Sequence, residues 1–253
     1  MEKNTLVRNF SRYAHLYDSH AQVQNYTASL LLQEIKDFEV NKILEIGCGT
    51  GNFTLLLKNR FEHAQIKAID ISAEMVKIAK EKLLGRKIEF VVTDARYLEL
   101  SESFNLITSN ACLHWFSNPQ EVLSGYKKLL RRRGAVSFSL FGPRTFWELK
   151  ESLNRISKAS ILSSGGFLDK EGISQIMRNN FSEVKIKETV FTQTHVSLKE
   201  LFYKIKYTGV RGNGLNGKIT FTPGFIERLE KCYLDKFKEI KATYQVFICQ
   251  GKS

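Results

Sequence analysis

Apolar and polar positions alternate along the chain in blocks, and the blocks change period. In QVQNYTASLLLQEIK, residues 22–36, Val23, Tyr26, Leu30 and Ile35 recur at helical spacing, which predicts an amphipathic helix. Lys42-Ile43-Leu44-Glu45-Ile46 then reads as a short buried strand running into a glycine-rich turn, and residues 52–60 as the helix after it. Ile66–Asp70 is a second strand, and Ser72 caps a helix through about Leu84, with Glu74 in its first turn. Ile88–Val92 and Phe104–Ser109 continue the strands. Pro119 opens a helix ending near Arg133-Gly134, and Ala135–Phe141 is a fifth strand.

Strands alternating with helices at this pitch build βαβ units, hence a parallel sheet covered on both faces. After Phe141 the pattern changes. Residues 145–158 read as helix, Ser163–Gly166 as a break, Lys170–Asn179 as helix and Val184–Phe191 as strand. Leu198–Tyr207 is helical, Gly209–Gly217 a loop, Pro223–Lys241 a long helix and Thr243–Cys249 a last strand. The expected fold is α/β: a seven-stranded, mostly parallel sheet with helices on both faces and an inserted helical lobe. The chain is read as one domain, with N-terminal lid helices at 1–36, a core at 37–142, and a lobe plus the last strands at 143–253.

Composition and charge narrow the classes. The 253 residues are 43% hydrophobic and 25% charged, which excludes collagen-like, disordered and disulfide-scaffold proteins. Lys and Arg number 38 against 26 Asp and Glu, a net charge of +12, so the surface attracts anionic partners. Cys48, Cys112, Cys232 and Cys249 fall in no C-x-x-C pair and show no ligand spacing with histidine, so no metal site is expected. The opening MEKNTLVRNFSRYAHLYD has no apolar signal core, and no apolar run is long enough for a membrane helix. A reducing cytoplasm and no membrane association are expected.

The chemistry concentrates in Glu45-Ile46-Gly47-Cys48-Gly49-Thr50-Gly51-Asn52, a strand, then Gly-x-Gly-x-Gly, then a helix. Glycines there allow a sharp turn and let a ligand lie against bare main chain. A dinucleotide loop would place its third glycine at Asn52, and a P-loop would need Gly-Lys-Ser/Thr, so neither fits. Asp70, ending the next strand, can accept hydrogen bonds from two ribose hydroxyls. The bland alternative is a non-binding turn with a solvated Asp70.

Glu45-x-Gly47-x-Gly49-x-Gly51 with Asp70 resembles the class I S-adenosylmethionine-dependent methyltransferases. That resemblance implies S-adenosylmethionine as cofactor. The Gly47–Gly51 backbone would approach its methionine part, with Glu45 in the same motif. Asp70 would meet the ribose and Ile71 the adenine. Asp94-Ala95 sits where the family binds the adenine amino group, and Asn110 where a backbone carbonyl meets the ammonium. Phe10-x-x-x-Ala14-x-x-Tyr17-Asp18-x-x-Ala21-x-Val23-Gln24 resembles the lid helix of members with small or acyl substrates.

Three further blocks, Ser109–Phe116, Phe138–Leu149 and Lys204–Gly209, are similar to the malonyl-acyl carrier protein O-methyltransferases of biotin synthesis. His114 departs from the glutamine expected in many of them. The resemblance implies methylation of the free carboxylate of a malonyl thioester. Such an acceptor is already ionised at neutral pH, so it needs orientation rather than an acid or base. Arg144, able to grip a carboxylate in bidentate fashion, is the first candidate; Tyr17 could close the lid, and His114 and Trp115 line the acceptor pocket. Each has a plain structural alternative as a solvated cation or a packed aromatic. An acidic acyl carrier protein would use the basic surface, with Lys199, Lys204, Lys206, Arg211 and Lys218 as the docking face. Arg131-Arg132-Arg133 reads instead as a solvated helix C-terminus.

Two other acceptors remain open at this point, another small carboxylate such as trans-aconitate, or a quinone-type ring. Nucleic acid is argued against by the missing stacking aromatics and by Asn110-Ala111-Cys112-Leu113 where base-amino methylases carry Asn/Asp-Pro-Pro-Tyr.

Overall fold

The computed structural model describes residues 3–35, 39–156, 167–208 and 222–252. The expected break at Ser163–Gly166, the loop at Gly209–Gly217, and Arg211 and Lys218 lie outside the described residues, as do Lys36 and the last two positions of the helix read at 145–158.

The elements run α1 (Lys3–Arg12), α2 (Ala14–His20), α3 (Gln22–Glu34), β1 (Lys42–Ile46), α4 (Asn52–Arg60), β2 (Gln65–Asp70) and α5 (Ala73–Lys82). They continue with β3 (Ile88–Val92), β4 (Phe104–Ser109), α6 (Pro119–Lys128), β5 (Leu130–Phe141), α7 (Trp147–Ile156) and α8 (Lys170–Asn180). Then follow β6 (Glu183–His195), α9 (Leu198–Tyr207), α10 (Pro223–Phe237) and β7 (Ile240–Lys252). The seven strands form one sheet in the order β3-β2-β1-β4-β5-β7-β6. β1 to β5 pair in parallel, while β7 runs antiparallel between β5 and β6.

Alternation along each strand divides the core. Ile43, Leu106, Val246 and Ile248 face one layer, with α3, α4, α7, α9 and α10; Leu44, Ile107, Phe247 and Cys249 face the other, with α6 and α8. After Lys42, β1 is apolar on both faces because both are covered, apart from Glu45. Strand order reverses between β1 and its neighbours β2 and β4, and the crevice beyond their C-terminal ends is where such sheets bind ligands.

Local chemistry sets the boundaries. Ser72 Oγ accepts from Met75 N–H to start α5, and Asn118 does the same for Glu121 at α6. Two helices end earlier than expected. α6 stops at Lys128, so Arg131–Arg133 is not a helix terminus: it opens β5, where register slips between Phe104↔Leu130 and Leu106↔Ala135. The residues between form a bulge, with Arg133 at φ 63 and Arg131 Nε donating to the Ser103 carbonyl. α10 ends at Phe237 because Lys238 turns left-handed, φ 66, and donates its N–H to the Leu234 carbonyl. Ile240 then starts a strand that pairs with β6 as far as Lys252, longer than its apolar run alone would predict.

Candidate functional site

Beyond β1 the chain folds back on itself. The N–H groups of Gly47 and Cys48 both donate to the Ile69 carbonyl, at 2.8 and 3.0 Å, tying the turn to the end of β2. Gly47, Gly49 and Gly51 all take positive φ, at 71, 54 and 85 degrees. Their side-chain positions differ in kind. A Cβ on Gly47 would stand 2.5 Å from Cys112 Sγ, so the turn after β4 excludes any larger residue. A Cβ on Gly49 would meet nothing within 4 Å, because that side of the turn is open. Gly51 packs on Ala79 of α5 and on Leu83 just beyond it, and caps α4, outside the opening.

The opening is a cleft of about 840 Å³. Gly47, Gly49, Asp70 and Ile71 line its floor; Asp94, Ala95 and Asn110 line the walls; Tyr17 and Trp115 reach it from the lid side. Nine of the thirteen positions expected from sequence to bind cofactor or acceptor therefore converge here. Glu45, Gly51, His114 and Arg144 do not line it.

Asp70 holds the floor together. Its Oδ2 accepts from Gly49 N–H and its Oδ1 from Ser72 N–H, both at 2.9 Å. Burial raises its pKa, against the lowering effect of those backbone donors and Ile71 N–H. Glu45 lies beneath the turn, 1% exposed, its pKa pushed up to about 8 by burial first and by the Asp70 charge as well. Asp94 is gripped in a fork by Arg96, Nε to Oδ1 at 2.9 Å and Nη2 to Oδ2 at 2.7 Å. Asn110 bridges elements: its Oδ1 accepts from Ser139 Oγ–H at 2.8 Å, and its Nδ2 donates to the Gln24 carbonyl of α3 at 2.9 Å. Ala111 sits at φ 50, held by Ser139 Oγ accepting its N–H at 2.9 Å.

α1 and α2 roof the cleft. Phe10 meets Trp115 edge to face at 5.7 Å, and Ser11 Oγ lies 3.0 Å from Ser72 Oγ. Burial, with the nearby Asp70 charge, raises the Tyr17 phenol, which keeps its proton at neutral pH. His114 turns inward against Trp115, Phe141 and Phe167, and burial pushes it down to about 3, so it is a neutral ring. Arg144 stands in the turn after β5; its side chain is exposed and its N–H donates to Gln245 Oε1.

Leu6, Phe10, Met75, Arg96, Cys112 and Phe116 also line the cleft. Leu6, Met75 and Arg96 carry no motif; Phe10 belongs to the lid pattern and Cys112 and Phe116 to the Ser109–Phe116 block, where the sequence did not single them out as site residues. Among the described residues no group of three or more His, Cys, Asp or Glu could hold a metal. None of their helices is long and apolar enough to cross a membrane.

A glycine turn beside a strand-end carboxylate, under an aromatic roof and without an acid–base dyad, suits a sulfonium nucleoside held for transfer of a group to an acceptor that is already nucleophilic. Known proteins agree. The family described as "Methyltransferase domain" matches residues 43–134. In solved structures, the YcgJ protein of Bacillus subtilis superposes with a TM-score of 0.63 at 13% identity, over 90% of this chain and 98% of that one. The phosphoethanolamine N-methyltransferase 2 of Haemonchus contortus, in complex with S-adenosyl-L-methionine, gives 0.59 at 16% identity, over 96% of this chain and 57% of that one. A malonyl-[acyl-carrier protein] O-methyltransferase of Ilyobacter polytropus is 33% identical over 94% of this chain and 88% of its own length. With that likeness running almost end to end, and with the cleft built from the motif residues, the chain belongs to the malonyl-[acyl-carrier protein] O-methyltransferase family of class I S-adenosylmethionine-dependent enzymes.

Proposed function

We propose that this protein transfers the methyl group of S-adenosylmethionine to the free carboxylate of malonyl-acyl carrier protein, giving the methyl ester and S-adenosylhomocysteine, as an early step of biotin synthesis. The observation that carries it is the near-full-length likeness to relatives of that name, joined to a cleft whose floor fits the cofactor. The fit rests on Asp70, a desolvated carboxylate lining the cleft, and on Gly49, whose left-handed main chain borders open space.

Asp70 accepts the ribose hydroxyls while its backbone donors keep it oriented. Gly47 and Gly49 expose main chain to the methionine part, and the Asn110 carbonyl, anchored through Ser139 and Gln24, faces the ammonium. Ile71 packs on the adenine. Asp94 with Ala95 takes the adenine amino group; the Arg96 fork fixes the carboxylate in the cleft wall. Glu45 and Gly51 serve from below, one as a neutral acid under the turn and one as the cap of α4.

S-adenosylmethionine, when bound, supplies an electrophilic methyl on sulfur. The chain's part is to orient the acceptor and exclude water. Tyr17 can donate a hydrogen bond but not remove a proton, and neutral His114 shapes the wall behind Trp115. Arg144, exposed in the turn after β5, orients the acceptor carboxylate. Lys199, Lys204 and Lys206 on α9 belong to the docking face, in the cytoplasm.

The test is transfer of radiolabelled methyl to malonyl-acyl carrier protein, with succinyl-carrier, malonyl-coenzyme A and trans-aconitate alongside. Base-labile label on the malonyl carrier sample is expected; label only on trans-aconitate, or on nothing, overturns the acceptor. Asp70→Asn should weaken cofactor binding about tenfold to a hundredfold by calorimetry, the loss of a charged acceptor for two hydroxyls. Arg144→Ala should lose turnover and keep cofactor affinity; unchanged turnover removes Arg144 from the site.

A further inference from the structure

The roof of the cleft meets α9 along a seam of rings and cations. Tyr13, between α1 and α2, packs edge to face on Tyr207 of α9 at 5.3 Å, and His20, ending α2, stacks on the same ring at 4.7 Å. Two cations from opposite sides of the seam lie against Tyr13. Arg12, the last residue of α1, is 5.4 Å from the ring centre, and Lys206 of α9 is 5.1 Å from it. Lys206 also covers Tyr207, while exposed Lys199 covers Tyr203, itself 42% exposed.

The acids of these helices are engaged elsewhere. Asp18 holds the start of α4 and Lys82, and Glu200 pairs with Lys204. Among the described residues, Arg12, Lys199 and Lys206 meet rings but no carboxylate. Rings offset little of an exposed cation's charge, so Arg12 and Lys206 repel one another across the seam. An anionic surface laid over the seam relieves that repulsion and ties its two sides together.

The same helices serve the cleft. Leu6 and Phe10 of α1 and Tyr17 of α2 line it, so a bound methyl donor favours the roof in place. A partner touching Arg12 and α9 at once favours it too, since lifting the roof would separate those contacts. Two ligands that favour one arrangement of the same element strengthen each other's binding by the same factor.

We propose that an acidic carrier protein docks across this seam, on Arg12 and Tyr13 of the lid as well as Lys199, Tyr203 and Lys206 of α9, and that its docking and methyl-donor binding are thereby cooperative. The partner's identity rests on the acceptor reading above; the lid half of the surface and its effect on the cofactor go beyond it.

Calorimetry tests this through the Kd of S-adenosylhomocysteine with and without saturating apo-acyl carrier protein, which lacks the arm and so reports the surface alone. At low salt the carrier should tighten that Kd about fivefold or more, and S-adenosylhomocysteine should tighten the carrier's Kd by the same factor. Both effects should fade toward about 1 M salt. Arg12→Gln and Lys206→Gln should each weaken carrier binding and shrink the coupling. Arg132→Gln, an equal loss of charge on exposed strand at the start of β5, should keep both. Retained S-adenosylhomocysteine binding shows that each variant is folded. A carrier that binds without changing the S-adenosylhomocysteine Kd overturns the cooperativity, and Arg132→Gln behaving like Lys206→Gln overturns the surface. Methyl transfer to malonyl-acyl carrier protein without apo-carrier binding also overturns the surface and leaves the acceptor reading standing; no transfer at all removes both.

Discussion

At the scale of single residues, Glu45 stores a pH dependence. It belongs to the motif read from sequence, yet the fold places it under the turn rather than in the cleft, with its pKa pushed up to about 8. A carboxyl raised above its ordinary value binds its proton more tightly when folded. Its contribution is therefore fully present below about pH 4.5 and is lost as pH climbs through about 8. Glu45→Gln has no such proton to lose. Denaturant unfolding should show wild type losing up to about 1.4 kcal/mol per pH unit relative to the variant between pH 5 and 8. Parallel curves would mean that Glu45 is ionised in the folded protein. The identity of the motif was legible in the sequence; which of its members face ligand was not, because that depends on how α5 and the turn after β4 press on the glycines.

At the scale of elements, the roof is latched from one point. Asp18 on α2 accepts from Thr50 Oγ1 and Asn52 Nδ2 at the start of α4, and from Lys82 Nζ on α5 at 2.6 Å. The Lys82 pair is partly exposed and contributes little alone, so the latch works as a network. Asp18→Ala should raise amide exchange across Lys3–His20 while β1 and β4 stay protected; unchanged exchange would show that Phe10–Trp115 packing holds the roof without it. The lid motif names Asp18 in the sequence, but its three partners come from elements that only tertiary contact brings together. The same holds at Arg131–Arg133, where helical charge pattern predicts a terminus and pairing of Leu130 with Phe104 makes a bulged strand instead.

At the scale of the molecule, the charge of +12 gathers meaning near α9. Lys206 lies over the rings of Tyr13 and Tyr207 at 5.1 and 5.3 Å, and Lys199 over Tyr203 at 5.8 Å, so the face joins the residue between α1 and α2 to α9. Replacing Lys199, Lys204 and Lys206 together with Gln should slow association with an acidic carrier protein about tenfold at low salt, in stopped-flow or surface-binding kinetics. The difference should shrink as ionic strength approaches about 1 M. A difference that persists at high salt would point to packing rather than steering.

The sequence by itself determined the strands, most helix boundaries and the glycine–carboxylate pair, because periodicity, caps and turn residues act within a few positions of one another. It determined the family for the same reason, since the motif residues are close in the chain. Tertiary structure alone decided that His114 faces inward, that Arg144 is exposed in the turn after β5 and does not line the cleft, and that Arg96 occupies Asp94. Those are questions of which surfaces meet, and they are settled by packing two layers of helices onto one twisted sheet.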